Sequence, residues 1–502
     1  MATAQIEVNE ALLDQRLADL EKARSWSPRV ISKLEATIRT AEDYDLFRIN
    51  PLRYATDKAM SEKEATDLFL YGTKLGLFEM EWHLVCRGCG HLIENFRDLA
   101  QIHTHALCDV CRMEYEAALD DYIQVSFTVG ARVRDIVYRH PERLPIEDFY
   151  LKYHLSNAIA PVNGVAWTDV LRGITRIMTY LAPGASASAE IELLPGVLAA
   201  TDLLNKTSLN LFTSASQGVE QQAISIKVQE KKFHLQDKET RPFRTQVGDV
   251  MVNMEQFGEI GLGKLRVEVR NEMPTQCAVW MINLPNESSE ADHLPGFEPF
   301  LSGKKLLTTQ TFRDLFRSQM IDAAEGIAIR DITFLFTDLK GSTALYDQIG
   351  DPKAYFLVRQ HFDTLSQAIA DKSGAVVKTI GDAVMAAFEN PANAVDAALT
   401  MIEKIEAFNQ NISQPLILKI GIHKGHSIAV TLNERLDYFG QTVNIAARVQ
   451  SLADANEIYV SSAVYNAPGV SETLRAHHVT PEQASVKGVS EKLQVYKIKV
   501  RK

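Results

Sequence analysis

The chain has 502 residues, of which 46% are apolar and 23% charged, and its formal net charge is −11 at pH 7. This length exceeds what one hydrophobic core organises and predicts about three domains. The acidic balance argues against a general nucleic-acid binder, and no apolar run is long enough to cross a bilayer. The N-terminus lacks a basic flank and a hydrophobic centre, so we expect no signal peptide, no membrane insertion and a cytoplasmic location.

The first region, residues 1–80, is predicted to be helical and winged-helix-like. Residues 7–23 and 28–42 have the apolar spacing of helices. Residues 50–86 then predict a short helix, a turn, a longer helix capped near Ser61 and a strand. Helix, turn, helix and strand is an outline that invites DNA binding. Since the longer helix carries three acidic side chains, a structural or protein-contact role is favoured.

The next region, residues 81–120, is predicted to be a zinc ribbon. It contains two Cys-x-x-Cys pairs, Cys86 with Cys89 and Cys108 with Cys111, separated by 18 residues. In a reducing compartment, thiolates at this spacing favour metal over disulfides. Four thiolates close a tetrahedral site, so the predicted Zn²⁺ is structural.

Strands and loops follow over residues 121–300. Segments such as "YIQVSFTV" and "KLRVEVR" alternate apolar and polar residues, which predicts a β-rich domain, a sandwich or a barrel. Its predicted role is that of a sensor or a spacer. Residues 301–330 predict a linker or transducer helix, because one helical stripe collects four apolar side chains: Phe312, Leu315, Phe316 and Met320.

The last region, residues 331–502, alternates strands and helices and predicts an α/β or α+β domain. Its segment "AVVKTIGDAVMAAF" reads as a hairpin, yet it carries Lys378 and Asp382 among apolar neighbours, where unpaired charges are costly. "FTDLKGST" ends a predicted strand at Asp338. Two such carboxylates brought together suit Mg²⁺ or Mn²⁺, which prefer oxygen ligands.

A third motif is "DYFGQTVNIAARV". Asn444 and Arg448 are four residues apart on a predicted helix and therefore share a face, and Asp437 precedes that helix. An amide and a guanidinium on one face suit a sugar-phosphate.

Together, "FTDLKGST", "KTIGDAV" and "DYFGQTVNIAAR" resemble the catalytic domain of class III nucleotide cyclases, over roughly residues 331–502. The resemblance implies a ferredoxin-like α+β fold. The front half is more loosely similar to that of some multidomain bacterial adenylate cyclases. By the same resemblance, Asp338 and Asp382 match the aspartates that hold two Mg²⁺ or Mn²⁺ ions, and Lys378 with Asp437 matches the adenine-selecting pair.

The resemblance assigns three further roles. Asn444 matches the residue that orients the ribose, Arg448 the one that stabilises the transition state at the α-phosphate, and Lys487 a lysine that contacts the distal phosphates. The implied reaction is attack of the ribose 3′-OH of ATP on the α-phosphorus, which yields 3′,5′-cyclic AMP and pyrophosphate.

In this family the site forms between two catalytic domains, head to tail, so a homodimer with two equivalent sites is expected. Lys378 and Asp382 would then serve different sites. The N-terminal regions are expected to regulate turnover. Two alternatives remain open at this point: a guanylate cyclase, and a catalytically silent protein that senses nucleotide or acts as a scaffold.

Overall fold

The computed structural model describes residues 8–500 except residues 104, 117, 121–122, 215–221, 237–239, 248–249, 286–294, 322–325, 343–346, 349, 411, 413 and 486–491. All structural statements below concern the described residues.

Four helices open the chain: α1 (Glu10–Ala23), α2 (Val30–Thr40), α3 (Pro51–Asp57) and α4 (Glu62–Lys74). α4 begins at the predicted cap, because the Ser61 hydroxyl accepts a hydrogen bond from the Glu64 N–H. Every residue of α4 from Ala65 to Leu70 is buried. The middle of this helix is therefore enclosed by protein and presents no free polar face.

A three-stranded antiparallel sheet follows the helices. Its strands are β1 (Phe78–Val85), β2 (Leu92–Phe96) and β5 (Ile123–Val129), in the order β2-β1-β5. Between β2 and β5 lies a separate hairpin of β3 (His105–Leu107) and β4 (Glu114–Glu116). β5 contains most of "YIQVSFTV", which the sequence placed in the middle region, but it pairs along its length with β1.

Short helices lead from this sheet to the middle of the chain. They are α5 (Ile146–Asp148), which continues as a π-helix over Phe149–Tyr153, and α6 (Trp167–Ile174).

The β-rich middle consists of two sheets, in agreement with the alternating sequence pattern. One has the order β11-β10-β14-β7 and the other β12-β13-β9-β8-β15-β6. Buried side chains from both sheets, such as Val267 and Leu209, share one core, as in a sandwich. The strands are β6 (Thr175–Leu181), β7 (Ser186–Leu193), β8 (Gly196–Asp202), β9 (Thr207–Ser214), β10 (Gln222–Gln229), β11 (Lys232–Leu235), β12 (Arg241–Val247), β13 (Val250–Gly261), β14 (Gly263–Asn271) and β15 (Cys277–Pro285).

Two short helices, α7 (Gly303–Leu307) and α8 (Gln310–Leu315), follow the middle region. The prediction of one helical stripe reaching Met320 is wrong, because α8 ends at Leu315. Phe316 leaves the helical conformation, with φ −117° and ψ 47°, and its ring stacks on that of Phe312. The Gln319 side chain contacts the front half, where it accepts a hydrogen bond from the Leu99 N–H at 3.0 Å.

The C-terminal region forms one mixed sheet in the order β17-β18-β16-β19-β21-β23-β22, with β20 paired to β19. Its first elements follow the order βαββαβ, and the strand order β17-β18-β16-β19 confirms the predicted ferredoxin-like fold. The elements are β16 (Ile327–Leu339), α9 (Asp351–Asp371), β17 (Gly374–Ile380), β18 (Ala383–Phe388), α10 (Pro391–Asn409), β19 (Leu418–Leu432), β20 (Arg435–Phe439), α11 (Gln441–Gln450), β21 (Glu457–Ser461), α12 (Ser462–Tyr465), α13 (Val470–Thr473), β22 (His478–Ala484) and β23 (Leu493–Lys499).

Two hydrophobic cores meet at this sheet. One lies between the sheet and the helices α9 and α10. The other is continuous from the front helices, through Trp82 and Phe312, to Phe334, Phe336 and Tyr438 of the C-terminal sheet. The front half and the C-terminal region thus share a core. Among the described residues, no helix is both long and apolar enough to span a membrane.

Candidate active site

The structure pairs Lys378 of β17 with Asp437 of β20. Lys378 Nζ lies 2.5 Å from Asp437 Oδ2, with the lysine side chain 38% and the aspartate side chain 10% exposed. The other carboxylate oxygen, Oδ1, accepts a hydrogen bond from the Tyr438 N–H at 2.8 Å. The carboxylate is therefore held at both oxygens, beside a half-exposed ammonium.

A β-bulge explains how Lys378 leaves the apolar face of its strand. Val376 pairs with Ala386 of β18, and Lys378 pairs with the next residue, Met385, so Val377 is the extra residue. Neighbouring pairs in a sheet point to opposite faces, and a bulge re-aims the side chains that follow it. Lys378 consequently points away from the side of Val376.

Asp382 occupies the tip of the predicted hairpin. Ile380 pairs with Ala383, which leaves a two-residue turn of Gly381 and Asp382. Gly381 has φ +62°, as the first central residue of such a turn requires. Asp382 Oδ2 is buried and has no hydrogen-bond partner in the described part of the chain.

Asp338 lies near the end of β16, at the end of the sheet where the Gly381–Asp382 turn also lies. β16 pairs with β18 in a register that includes Phe336 with Met385, and the Val384 N–H donates to Thr337 Oγ1 at 3.0 Å. Continuing this register places Asp338 opposite Ala383, directly beside the turn that carries Asp382. The two predicted metal-binding carboxylates therefore lie at the ends of neighbouring strands.

These carboxylates suit a divalent cation. A buried carboxylate oxygen without a partner is costly, and a hard cation with oxygen preference satisfies it. Mg²⁺ and Mn²⁺ both prefer such oxygen donors, so the predicted pair fits the predicted ions.

Sequence reasoning missed the partner of Asp338. Lys419 of β19 is paired with Asp338 on the adjacent strand β16, and its ammonium forms an ion pair with Asp338 Oδ2. The signal was present, because Lys419 is a charged residue within the apolar strand segment "LILKIGIH". A charge at such a position indicates a partner on the neighbouring strand.

Asn444 and Arg448 both lie on α11, one turn apart as predicted. Asn444 is exposed and Arg448 half-buried. α11 lies against β19 at Gly421, where a Cβ would come within 2.0 Å of the Gln450 backbone nitrogen. Only glycine permits this approach, which fixes the height of the helix above the sheet. Lys487, the predicted contact to the distal phosphates, lies outside the described residues.

The four predicted zinc ligands come together far from these carboxylates in sequence. The sulfur atoms of Cys86, Cys89, Cys108 and Cys111 all lie within 4.8 Å of one another. The Cys86–Cys111 and Cys89–Cys108 sulfur distances are 3.3 and 3.7 Å. A tetrahedron with metal–sulfur bonds of about 2.3 Å has edges of about 3.8 Å, so the cluster has the size of a zinc site.

The two cysteine pairs also have the same backbone turn. Gly90 N–H donates to the Cys86 carbonyl, and Arg112 N–H donates to the Cys108 carbonyl, each over four residues. Gly90 and Arg112 both have positive φ, +78° and +60°. Two identical turns that each aim two thiols at one point fit a metal better than four unrelated buried cysteines.

Comparison with known proteins divides the chain at the same place as the fold. Residues 13–314, more than half of the chain, match a family described as "Family of unknown function (DUF5939)". Residues 327–500 match the "Adenylate and Guanylate cyclase catalytic domain".

The chain belongs to the DUF5939 family, and its residues 327–500 are a nucleotide cyclase catalytic domain.

Several curated proteins are similar to the cyclase domain. An adenylate cyclase of Anabaena cylindrica is 27% identical over 226 residues, which is 41% of this chain and 43% of the relative. The alpha-1 subunit of soluble guanylate cyclase from Rattus norvegicus is 24% identical over 38% of this chain and 30% of its own length. The chain therefore spans less than half the length of these relatives.

Solved cyclase structures are also similar. The adenylyl cyclase CyaB from P. aeruginosa has 24% sequence identity and a TM-score of 0.31, covering 36% of this chain and 97% of its own.

Proposed function

We propose that the protein is an adenylate cyclase that converts ATP to 3′,5′-cyclic AMP and pyrophosphate at sites shared across a homodimer. The observation that carries this proposal is the Lys378–Asp437 pair, a lysine and a carboxylate 2.5 Å apart on β17 and β20 of the cyclase domain.

The pair has the hydrogen-bonding pattern that adenine requires. Adenine donates from N6–H₂ and accepts at N1, so the Asp437 carboxylate can accept from the first and the Lys378 ammonium donate to the second. Guanine has an acceptor, O6, and a donor, N1–H, at the corresponding positions. A site built on such hydrogen bonds rejects the wrong base, because mispaired groups are left buried.

Asp338 and Asp382 are the proposed ligands of Mg²⁺ or Mn²⁺. When bound, such ions polarise the 3′-oxygen and neutralise the charge of the triphosphate. Lys419 forms an ion pair with Asp338, while the Oδ2 atom of Asp382 has no partner among the described residues, so both carboxylates carry charge that a cation would balance.

The other residues act on the sugar and the phosphates. Asn444 is proposed to hold the ribose so that its 3′-oxygen faces the α-phosphorus. This orientation lowers the entropic cost of reaching the transition state. Arg448 is proposed to stabilise negative charge on the α-phosphate oxygens in the transition state. The 3′-oxygen forms a bond to the α-phosphorus as the bond from this phosphorus to the bridging oxygen of pyrophosphate breaks, and the proton of the 3′-OH passes to solvent water. We propose that Lys487 contacts the distal phosphates.

A second copy of the chain is proposed to complete each site. Four large apolar side chains of the cyclase domain are exposed on strands near the site: Ile380, Ile428, Leu432 and Phe439. An exposed apolar surface beside the proposed site residues is what a subunit interface needs.

The front half is proposed to be regulatory, with a structural Zn²⁺ at the four cysteines. Within it we propose a winged-helix-like region, a zinc ribbon, a β-rich sensor and a linker; the sheet of β1, β2 and β5 joins the first two and the start of the third. The burial of α4 from Ala65 to Leu70 supports a packing role for that helix. Location in the cytosol is part of the same proposal.

The test is turnover by the purified full chain with ATP and with GTP, each in Mg²⁺ and in Mn²⁺. We expect cyclic AMP from ATP, little product from GTP, and loss of product in the isosteric variant Asp382→Asn. A clear preference for GTP would instead establish a guanylate cyclase. Nucleotide binding without any cyclic product would favour the silent sensor.

A further inference from the structure

The segment that precedes the cyclase domain makes contacts on both strands that carry the base-reading pair. This segment, called the linker here, consists of residues 303–321 and includes α7 and α8. It forms hydrogen bonds with main-chain atoms of Val376, two residues before Lys378, and of Leu436, next to Asp437, so these contacts bear on where those two side chains are placed.

On β17, the contact is at the bulge. Gln310 Oε1 accepts a hydrogen bond from the Val376 N–H at 2.8 Å. Val376 is the last regularly paired residue before the extra residue of the bulge. The conformation that re-aims Lys378 is therefore held from outside the cyclase domain, by a side chain of α8.

On β20, the contacts lie on both sides of Asp437. Arg313 Nη1 donates to the Leu436 carbonyl at 3.0 Å, and its guanidinium lies 5.4 Å from the centre of the Tyr438 ring. Tyr438 supplies the N–H that holds Asp437 Oδ1. Arg313 also donates from Nε to the Leu307 carbonyl at 3.0 Å, which joins α7 to α8.

The opposite side of α8 packs on the front half. Phe312 is fully buried, and its ring meets that of Trp82 edge to face at 6.0 Å. Trp82 is on β1, which ends at Val85 directly before the zinc-cluster residue Cys86. α8 thus contacts the front sheet through Phe312 and the base-reading strands through Gln310 and Arg313.

We propose that Gln310 and Arg313 are positioning residues that hold Lys378 and Asp437 at the separation that reads adenine, so that the front half sets base selectivity through α8. This inference rests on the proposed function of the pair. It predicts an effect on selectivity more than on turnover, because the contacts of Gln310 and Arg313 described above are with β17 and β20, whereas Asp338 and Asp382 lie on β16 and at the hairpin tip.

The variants are chosen to separate positioning from folding. Gln310→Leu removes the acceptor at the bulge, whereas Gln310→Glu retains it. Both variants lose the hydrogen bond that Gln310 Nε2 donates to Asp314 Oδ1 at 3.0 Å, and the glutamate adds a weak repulsion with Asp314. Arg313→Met removes the contacts to β20 and keeps an apolar stem of similar length. Arg317→Met is the matched control, because Arg317 is an exposed arginine of the same linker.

The readout is equilibrium binding of 3′-deoxy-ATP and 3′-deoxy-GTP to the full chain in Mn²⁺. These analogues lack the attacking hydroxyl, so binding is measured without turnover. We expect the preference for 3′-deoxy-ATP to fall about tenfold in Gln310→Leu and in Arg313→Met, the effect of losing about one hydrogen bond. Gln310→Glu and Arg317→Met should keep the preference. With ATP as substrate, KM should rise more than kcat falls.

An unchanged preference in both Gln310→Leu and Arg313→Met, with unchanged thermal midpoints, overturns the positioning inference and leaves the proposed cyclase activity standing. A wild-type chain that prefers neither analogue overturns the base-reading role itself, and the inference falls with it. Were Arg313→Met to misfold, the comparison of Gln310→Leu with Gln310→Glu still decides.

Discussion

Replacing Asp437 by asparagine tests the base-reading pair with the smallest change in shape. The asparagine oxygen can still accept from the Tyr438 N–H, which donates to Asp437 Oδ1 at 2.8 Å. Its amide NH₂ would then take the place of Oδ2, which lies 2.5 Å from Lys378 Nζ in the wild-type chain. Two hydrogen-bond donors would therefore face each other. The variant loses both the charge pair and the acceptor for adenine N6–H₂.

The expected magnitude follows from these contacts. A hydrogen bond to a charged group contributes about 1.5–3 kcal/mol, which corresponds to a loss of about 10- to 150-fold in kcat/KM for ATP relative to GTP. The loss of stability should be smaller, under about 1 kcal/mol, because the Lys378 side chain is 38% exposed and the pair is screened by water.

The assay is kcat/KM for both nucleotides in Mn²⁺, with cyclic AMP and cyclic GTP product measured separately. The matched control is Asp331→Asn, which disrupts another Lys–Asp pair of the same sheet, with Lys424 Nζ 2.9 Å from Asp331 Oδ2. If the ratio of ATP to GTP turnover changes no more in Asp437→Asn than in Asp331→Asn, the assignment of Asp437 to the base is refuted. A double-mutant cycle with Lys378→Met should show non-additive effects, since the two side chains are in contact.

Three further predictions concern the shared site, the metal cluster and the response to pH. Asp338→Ala and Arg448→Ala should each be almost inactive as homodimers, yet a mixture of the two should regain activity, because a heterodimer contains one intact site. If activity does not recover although mass spectrometry shows heterodimers, the site is not shared. Replacing Cys86 and Cys89 together by Ser should remove about one Zn²⁺ per chain, measured by elemental analysis, and lower the thermal midpoint; unchanged zinc content contradicts the cluster. Burial lowers the pKa of His361 from 6.5 to about 4, so the unfolded chain binds more protons below pH 6.5 and stability falls as the pH drops toward 4. His361→Leu should flatten this dependence by about 1.4 kcal/mol per pH unit near pH 5, measured by urea unfolding at pH 5 and pH 7, and an equal slope in both proteins contradicts the buried neutral histidine.

Local patterns predicted much of the fold. Helical spacing located α1 and α2, the cap at Ser61 located the start of α4, and two apolar segments around a glycine located the hairpin, because each depends on neighbours in sequence. The same holds for the four cysteines, whose spacing within each pair already forms one turn. Motif spacing predicted that Asn444 and Arg448 share a helical face.

Long-range contacts decided what the sequence could not show. The stripe that runs to Met320 is helical in period, but α8 ends at Leu315, where Phe316 stacks on Phe312. The alternation of apolar and polar residues in β5 predicts a strand, but it does not show that this strand pairs with β1. The bulge at Val377 and the Lys419 partner of Asp338 likewise depend on neighbouring strands, so no local pattern carries them.

The hydrophobic core shared by the front half and the cyclase domain has a consequence for how the protein unfolds. Trp82, Phe312, Phe334 and Tyr438 belong to one continuous buried cluster, so the front helices and the strand β1 cannot lose this packing while the cyclase sheet keeps it. Heating should therefore melt these elements together with the cyclase sheet, and a fragment that begins at residue 327 would expose this apolar side of its sheet to water. The front half thus also encloses one side of the cyclase sheet.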